Sequence, residues 1–333
     1  MPSERDSLRI VIAGASSLLG AELKSLLEES RFAAADFRLL DEQLAAGTLT
    51  EAGGEAAVIQ PVEEGSFHRA RFVFFTGSPD FSRANVAAAR QAGAKIIDLS
   101  GALAEQAGTI AWFPGIDALH GEEFSKHAAT YAIPSAAAAA ASALSLALAP
   151  IGLRRLVVTC FQPVSEAGRR GIEELESQTS QLLSFQSVGK PLFDTQVAFT
   201  LLDRFGPQSA HKLAAVRERV RAETRALLAG KAGIPAVQLV HAPVFYGTTF
   251  TACAEVAPEM DQPNIVTACK NAGFAITEDD GPSNVSVAGE SVIQLAVPEA
   301  DPAQPGTWWF WGAADNIRLP AAHAVKLADK LAS

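Results

Sequence analysis

Leu8-Arg9-Ile10-Val11-Ile12-Ala13-Gly14-Ala15-Ser16-Ser17-Leu18-Leu19-Gly20 decides the fold. Leu8 to Ala13 is a short apolar strand, Gly14 opens a turn, and a helix is expected from Leu18 to about Glu29. The spacing Gly14, Ser17, Gly20 between strand and helix has the form of a dinucleotide fingerprint. Gly14 suits the tight turn and Gly20 the close packing of helix on strand. Ser17 stands where a glycine would let backbone approach a pyrophosphate. Its hydroxyl and the helix N-terminus are still suited to hold an anion. The candidate cofactor contacts are therefore Gly14, Ala15, Ser16, Ser17, Leu18 and Gly20; an ordinary βα turn that binds nothing is the competing reading.

Strand signals follow at Phe37 to Leu40, Arg71 to Gly77 and Lys95 to Leu99, with a helix through Asn85 to Gln91. Strands alternating with helices imply a parallel sheet of βαβ units, ending near Thr130. Asp41 and Glu42 close the second strand. An acid there is placed to bond the ribose 2′-hydroxyl of NAD and to repel the 2′-phosphate of NADP; an exposed acidic turn explains it equally. The alanine-rich run between Pro134 and Pro150 is too short for a membrane span and reads as a buried helix.

Beyond it the texture changes. Arg155 to Phe161, Val237 to Phe245, Thr249 to Val256 and Asn284 to Val297 read as strands, the last bent at Gly289. Gly168 to Leu183, Leu213 to Leu228 and the tail Pro320 to Leu331 read as helices. The fold class is α/β plus α+β, with a parallel sheet first and a mostly antiparallel sheet second. Trp309 and Trp311 share one face of a strand, against core or a dimer partner.

The net charge of −10 excludes nucleic acid and anionic membranes as partners. Cys160, Cys253 and Cys269 are too few and too scattered for disulfides or zinc, so reduced thiols and a cytoplasmic setting are expected, with no metal. The charged N-terminus reads as no signal peptide.

Gly14-Ala15-Ser16, Phe161-Gln162-Pro163-Val164-Ser165-Glu166-Ala167-Gly168, Gly171-Ile172-Glu173-Glu174-Leu175 and Asp315-Asn316-Ile317-Arg318 occur in the order of aspartate-semialdehyde dehydrogenases. The chain resembles that family over nearly its whole length. The resemblance implies an N-terminal Rossmann domain (residues 1–130, joined by a C-terminal helix, 313–333) and a substrate and dimerisation domain (131–312). It implies a homodimer and amino-acid biosynthesis. It also implies NADP or NAD as cofactor, with Ser165 and Asn316 among its contacts, and a retained Gln162.

The family's chemistry needs a thiolate, a base and cationic anchors. By resemblance, Ala136 replaces the Cys nucleophile and Thr248 the His base. His241 and Ala104 replace two anion-binding Arg, and Leu44 the Arg for the 2′-phosphate. Arg219 is a cationic replacement for a family lysine, and Ser100 joins His241 and Arg219 as a substrate or anion contact. The pattern is similar to the Usg-type branch of the family, which implies loss of the usual dehydrogenase activity. An NAD(P)-dependent oxidoreductase acting without a thioester, and a scaffold protein pairing through the dimer surface, are the alternatives. Cys160 shares a strand face with Gln162 and is the first candidate for a relocated nucleophile, an inert core cysteine being the competing reading.

Overall fold

The computed structural model describes residues 8–42, 47, 49–52, 55–278 and 280–333. The chain divides into two compact units: residues 1–114, 124–134 and 320–333 form unit 1, and residues 115–123 and 135–319 form unit 2.

Unit 1 is built on a twisted sheet whose central strands are apolar throughout. β1 (Arg9–Ala13), β2 (Asp36–Asp41) and β6 (Ala70–Phe75) run side by side. Ile10, Val11, Ile12 and Phe72 to Phe75 have no exposed surface, as expected of strands covered on both faces. β5 (Gln60–Pro61), β7 (Lys95–Asp98), β8 (Thr109–Ala111) and β9 (Thr130–Ala132) complete the order β5-β2-β1-β6-β7-β9-β8. All its pairings are parallel. β3 (Leu49–Ala52) and β4 (Glu55–Val58) form a separate antiparallel pair. Helices α1 (Leu18–Glu28) and α2 (Pro79–Gln91) start on side-chain caps from Ser17 and Ser78. α2 begins six residues earlier than its sequence signal, because Ser78 and Pro79 supply a cap and a ready-made first turn.

Unit 2 carries a mixed sheet. β10 (Arg155–Gln162), β11 (Ala236–His241), β12 (Thr248–Glu255), β13 (Ala275–Thr277), β14 (Gln294–Ala296), β15 (Glu299–Ala300) and β16 (Thr307–Ala314) take the order β11-β10-β12-β16-β14-β13, with β15 on β16. β10 and β11 are parallel, whereas β12 is antiparallel to both β10 and β16. The expected strand Asn284 to Val297 is a correction: only Gln294–Ala296 is strand. Ser283 and Ser286 bond each other's amides at 2.9 and 3.0 Å. Gly289, at φ 80°, gives its N–H to Asp315. These local bonds divert the valine-bearing segment into turns. β11 likewise ends at His241, short of Pro243.

Helix α3 (Ile116–His120) is short, and α4 (Ala136–Leu148), the alanine run, is buried at all thirteen positions. Alanine on every side lets neighbouring helices and the sheet approach closely. α5 (Arg169–Leu183), α6 (Leu213–Leu228) and α7 (Gln262–Asn271) complete the unit. Gly171 is needed where α5 begins, since a Cβ there would lie 2.2 Å from the Val164 carbonyl oxygen. Glu174, one turn on, accepts the amides of Leu192 and Phe193, and Gln178 accepts those of Val197 and Ala198. Two buried polar side chains of one helix thereby fasten the following loop.

The last helix, α8 (Arg318–Ala332), lies in unit 1 from Pro320 onward. Lys330 Nζ sits 4.2 Å from the Phe124 ring centroid and His323 stacks on Phe113.

Gly14 has φ 101°, and a Cβ on it would stand 2.1 Å from the Gly77 nitrogen. Gly65 also has positive φ but open space around it. Gly14→Ala is expected to lower stability by about 3 kcal/mol or more, strain plus overpacking. Gly65→Ala should lose only the strain part, about 1 kcal/mol. Urea midpoints of the two variants check the difference.

Candidate functional site

In unit 1 the glycine loop stands at the C-terminal ends of β1 and its neighbours β2 and β6, where the order of strands reverses. This is the crevice in which open α/β sheets hold ligands. Gly14 and Ala15 give their N–H groups to the Leu40 carbonyl. Ser17 turns its hydroxyl inward, to the carbonyls of Gly14 and Thr76 at 2.8 and 2.9 Å, while accepting from the Gly20 amide. The Cβ of Ser17 thus belongs to a helix cap, and the cap orders the loop. A Cβ on Gly20 would meet the Gly14 carbonyl oxygen at 2.4 Å, so Gly20 serves close helix–strand packing. Asp41 Oδ2 accepts the Ser16 amide at 2.7 Å and Oδ1 the Glu42 amide at 2.8 Å.

No protein acceptor meets the amides of Leu18 and Leu19 among the described residues. They open the eleven-residue α1. Two unpaired donors on a positive helix end, on half-buried residues, fit a diphosphate, so the loop fits a dinucleotide. Ser100 is placed otherwise: its hydroxyl bonds the buried Asp98 at 2.5 Å within a turn, and Ala104 is buried. Leu44 lies outside the described residues.

In unit 2 a chain of polar groups runs through the remaining candidates. Ser135 caps α4, and both its amide and its hydroxyl go to Glu223 Oε2, at 3.0 and 2.5 Å. Glu223 is buried on α6; desolvation raises its pKa, against the pull of Arg219 and Ser135. Arg219, one turn earlier, donates to Glu166 Oε2 at 3.0 Å and lies 3.8 Å from Glu223. Asn316 Nδ2 reaches Glu166 Oε1 at 3.3 Å and Ser165 Oγ at 3.0 Å, and its Oδ1 accepts the Gly247 amide. Ser165, Arg219 and Asn316 are therefore brought together by Glu166.

Ala136 follows Ser135 as the first residue of α4, its methyl buried. Gln162 ends β10 facing the core, beside His241 in the parallel register. His241 is buried, with Nε2 3.3 Å from the Val197 carbonyl and the rings of Phe193 and Phe205 about it. Burial lowers its pKa and disfavours the charged imidazole, against the hydrogen bond to the Val197 carbonyl. The Thr248 hydroxyl is buried and has no hydrogen-bond partner in the protein. Cys160 has no exposed surface, and burial pushes its thiol up to about 12, an environment of the kind that holds inert core cysteines. Glu166 and Glu223 escaped the sequence reading as site residues, though Arg219 and Glu223 at i and i+4 were a signal. Among the described residues, no group of His, Cys, Asp or Glu is arranged to hold a metal, and no helix is long and apolar enough to cross a membrane.

Residues 9–142 match the family described as semialdehyde dehydrogenase, NAD binding domain, and residues 144–319 match semialdehyde dehydrogenase, dimerisation domain. The chain belongs to the semialdehyde dehydrogenase family. Within it, the chain is 31% identical to the USG-1 protein homologue of Pseudomonas aeruginosa, over 97% of each chain. It is 25% identical to the aspartate-semialdehyde dehydrogenase of Prochlorococcus marinus, over 97% of this chain and 96% of that one. The solved structure of a probable aspartate-semialdehyde dehydrogenase from P. aeruginosa superposes with a TM-score of 0.87 at 29% identity, covering 98% of this chain and 99% of that one.

Two measurements follow from these environments. Thr248→Val keeps the shape and removes an unpaired buried hydroxyl, so the melting temperature should hold or rise; a fall would mean the hydroxyl has a partner in solution. Burial lowers His211 from 6.5 to about 4 and His323 from 6.5 to about 3. Both bind protons more readily in the unfolded chain, so stability is intact above pH 6.5 and falls as the pH drops through 6.5 toward 4. Urea midpoints across that window should decline on acidification, with a shallower slope for His211→Gln.

Proposed function

We propose that this protein is a homodimeric, cytoplasmic member of the family that does not carry out phosphate- and NADP-dependent oxidation of aspartate semialdehyde. One observation carries the reading. At the start of α4, where the resemblance puts the nucleophile, the chain places the buried methyl of Ala136 behind a Ser135 hydroxyl committed to Glu223. The groups that might stand in are otherwise occupied. Arg219 is held between Glu166 and Glu223, and the His241 imidazole is enclosed, which disfavours its charged form. Thr248 in place of a base offers a hydroxyl that moves no proton near neutral pH. A methyl forms no thioester.

A second reading is favoured by the loop of unit 1. Its amides at Leu18 and Leu19, with a loop ordered by Asp41, support retention of a nicotinamide dinucleotide, and so an oxidoreductase that works without a covalent intermediate. A bound nicotinamide would supply hydride transfer. The chain's own part would be to hold the diphosphate at Leu18 and Leu19 and to order the loop through Ser17.

The sheet face of unit 2 supports the dimer. Trp309 and Trp311 lie on the face opposite Trp308 and Phe310 and are 45% and 41% exposed. Phe161 and Thr251 are their neighbours on that face, and apolar surface of this kind is covered by a partner.

Purified protein given aspartate semialdehyde, phosphate and NADP or NAD should reduce no cofactor above the enzyme-free rate. Reduction that scales with protein would refute the proposed loss of activity. Sedimentation should give a dimer for the native chain and a monomer for Trp311→Asp; a native monomer would remove the dimer.

A further inference from the structure

The mouth of the unit 1 crevice carries two adjacent carboxylates in different states. Asp41 is buried, and its two oxygens are taken by the amides of Ser16 and Glu42. Glu42 is exposed at the end of β2, and its Oε1 accepts from Ser78 Oγ at 2.8 Å. Ser78 is fixed in turn, because the same oxygen caps α2 by accepting from Phe81. It follows β6, which lies on the other side of β1. The Glu42–Ser78 bond therefore ties the two strand ends that flank the glycine loop. Oε2 of Glu42 has no hydrogen bond among the described residues.

We infer that Glu42, positioned by Ser78 and backed by Asp41, makes this domain select a dinucleotide with an unphosphorylated adenosine ribose, NAD(H), over NADP(H). The inference rests on reading unit 1 as a dinucleotide-binding domain. In domains of this fold, the residues ending the second strand meet the adenosine ribose. A tethered carboxylate accepts from a 2′-hydroxyl, which is a donor. A 2′-phosphate offers charged acceptor oxygens to Glu42 and lies near the second negative charge of Asp41, so like charges face each other. The basic residue of β2, Arg38, gives its guanidinium to the carbonyls of Gly65 and Ser66 at 3.3 and 2.9 Å. Ser78 is a positioning residue: without it Glu42 keeps its charge but loses its aim.

The test is calorimetric titration of the full chain with NADH and with NADPH, repeated on Glu42→Gln, Glu42→Arg and Ser78→Ala. The native protein should bind NADH at least about tenfold more tightly, the scale of one charge-assisted hydrogen bond. Glu42→Gln should narrow the ratio, and Glu42→Arg should reverse it. Ser78→Ala should weaken NADH without strengthening NADPH to the level seen in Glu42→Arg. Circular dichroism confirms that each variant is folded, as expected for changes at the rim. Equal or tighter NADPH binding by the native chain, or a ratio unmoved by Glu42→Arg, overturns the inference while leaving the dinucleotide domain in place. Binding of neither cofactor overturns both.

Discussion

The carboxylate of Glu223 is the constraint around which unit 2 is organised. A buried acid without partners would cost several kcal/mol. Here the amide and hydroxyl at the N-terminus of α4 satisfy it, together with Arg219. A negative charge at that end of a helix also meets the positive end of the helix dipole. Arg219 then needs a second acceptor and finds Glu166; Glu166 engages Asn316, and Asn316 closes on Ser165 and the Gly247 amide. One acid thereby fixes the start of α4, the segment after β10 and the start of β12.

The same chain shows how the buried charged side chains of unit 2 are held. An active site keeps charges unpaired until a substrate arrives, and such charges are costly to hold in place. In this protein Arg219 is paired with Glu166 and lies beside Glu223, and the two acids also accept from Asn316 and Ser135. Among the described residues, the Thr248 hydroxyl is one of the buried polar atoms without a hydrogen-bond partner.

Local signals made the first half of the fold legible. The strand, glycine turn and helix of residues 8–20 are contiguous, and the alanine run announces its burial by composition. The match of Gly171 and Glu174 to a family signature also has a physical reason, a close backbone crossing and an acceptor for loop amides. The polar chain was not legible, because its links join residues 88, 53 and 150 positions apart. Asn284 to Val297 misled for the opposite reason. Its valines suggest a strand, while serine side chains and Gly289 supply local bonds that periodicity does not register. β9, three residues between β7 and β8, is too short to show a period at all.

The placement of the tryptophans has a spectroscopic consequence. Three of the four residues, Trp308, Trp309 and Trp311, stand on β16, and only Trp112 lies in unit 1. Intrinsic fluorescence is therefore weighted toward one sheet. Trp309 and Trp311 donate their indole N–H groups to Asp301 and to the Pro282 carbonyl, so their rings are oriented as well as half exposed. Emission from this protein reads the surroundings of β16, and stays nearly silent about what happens at the glycine loop.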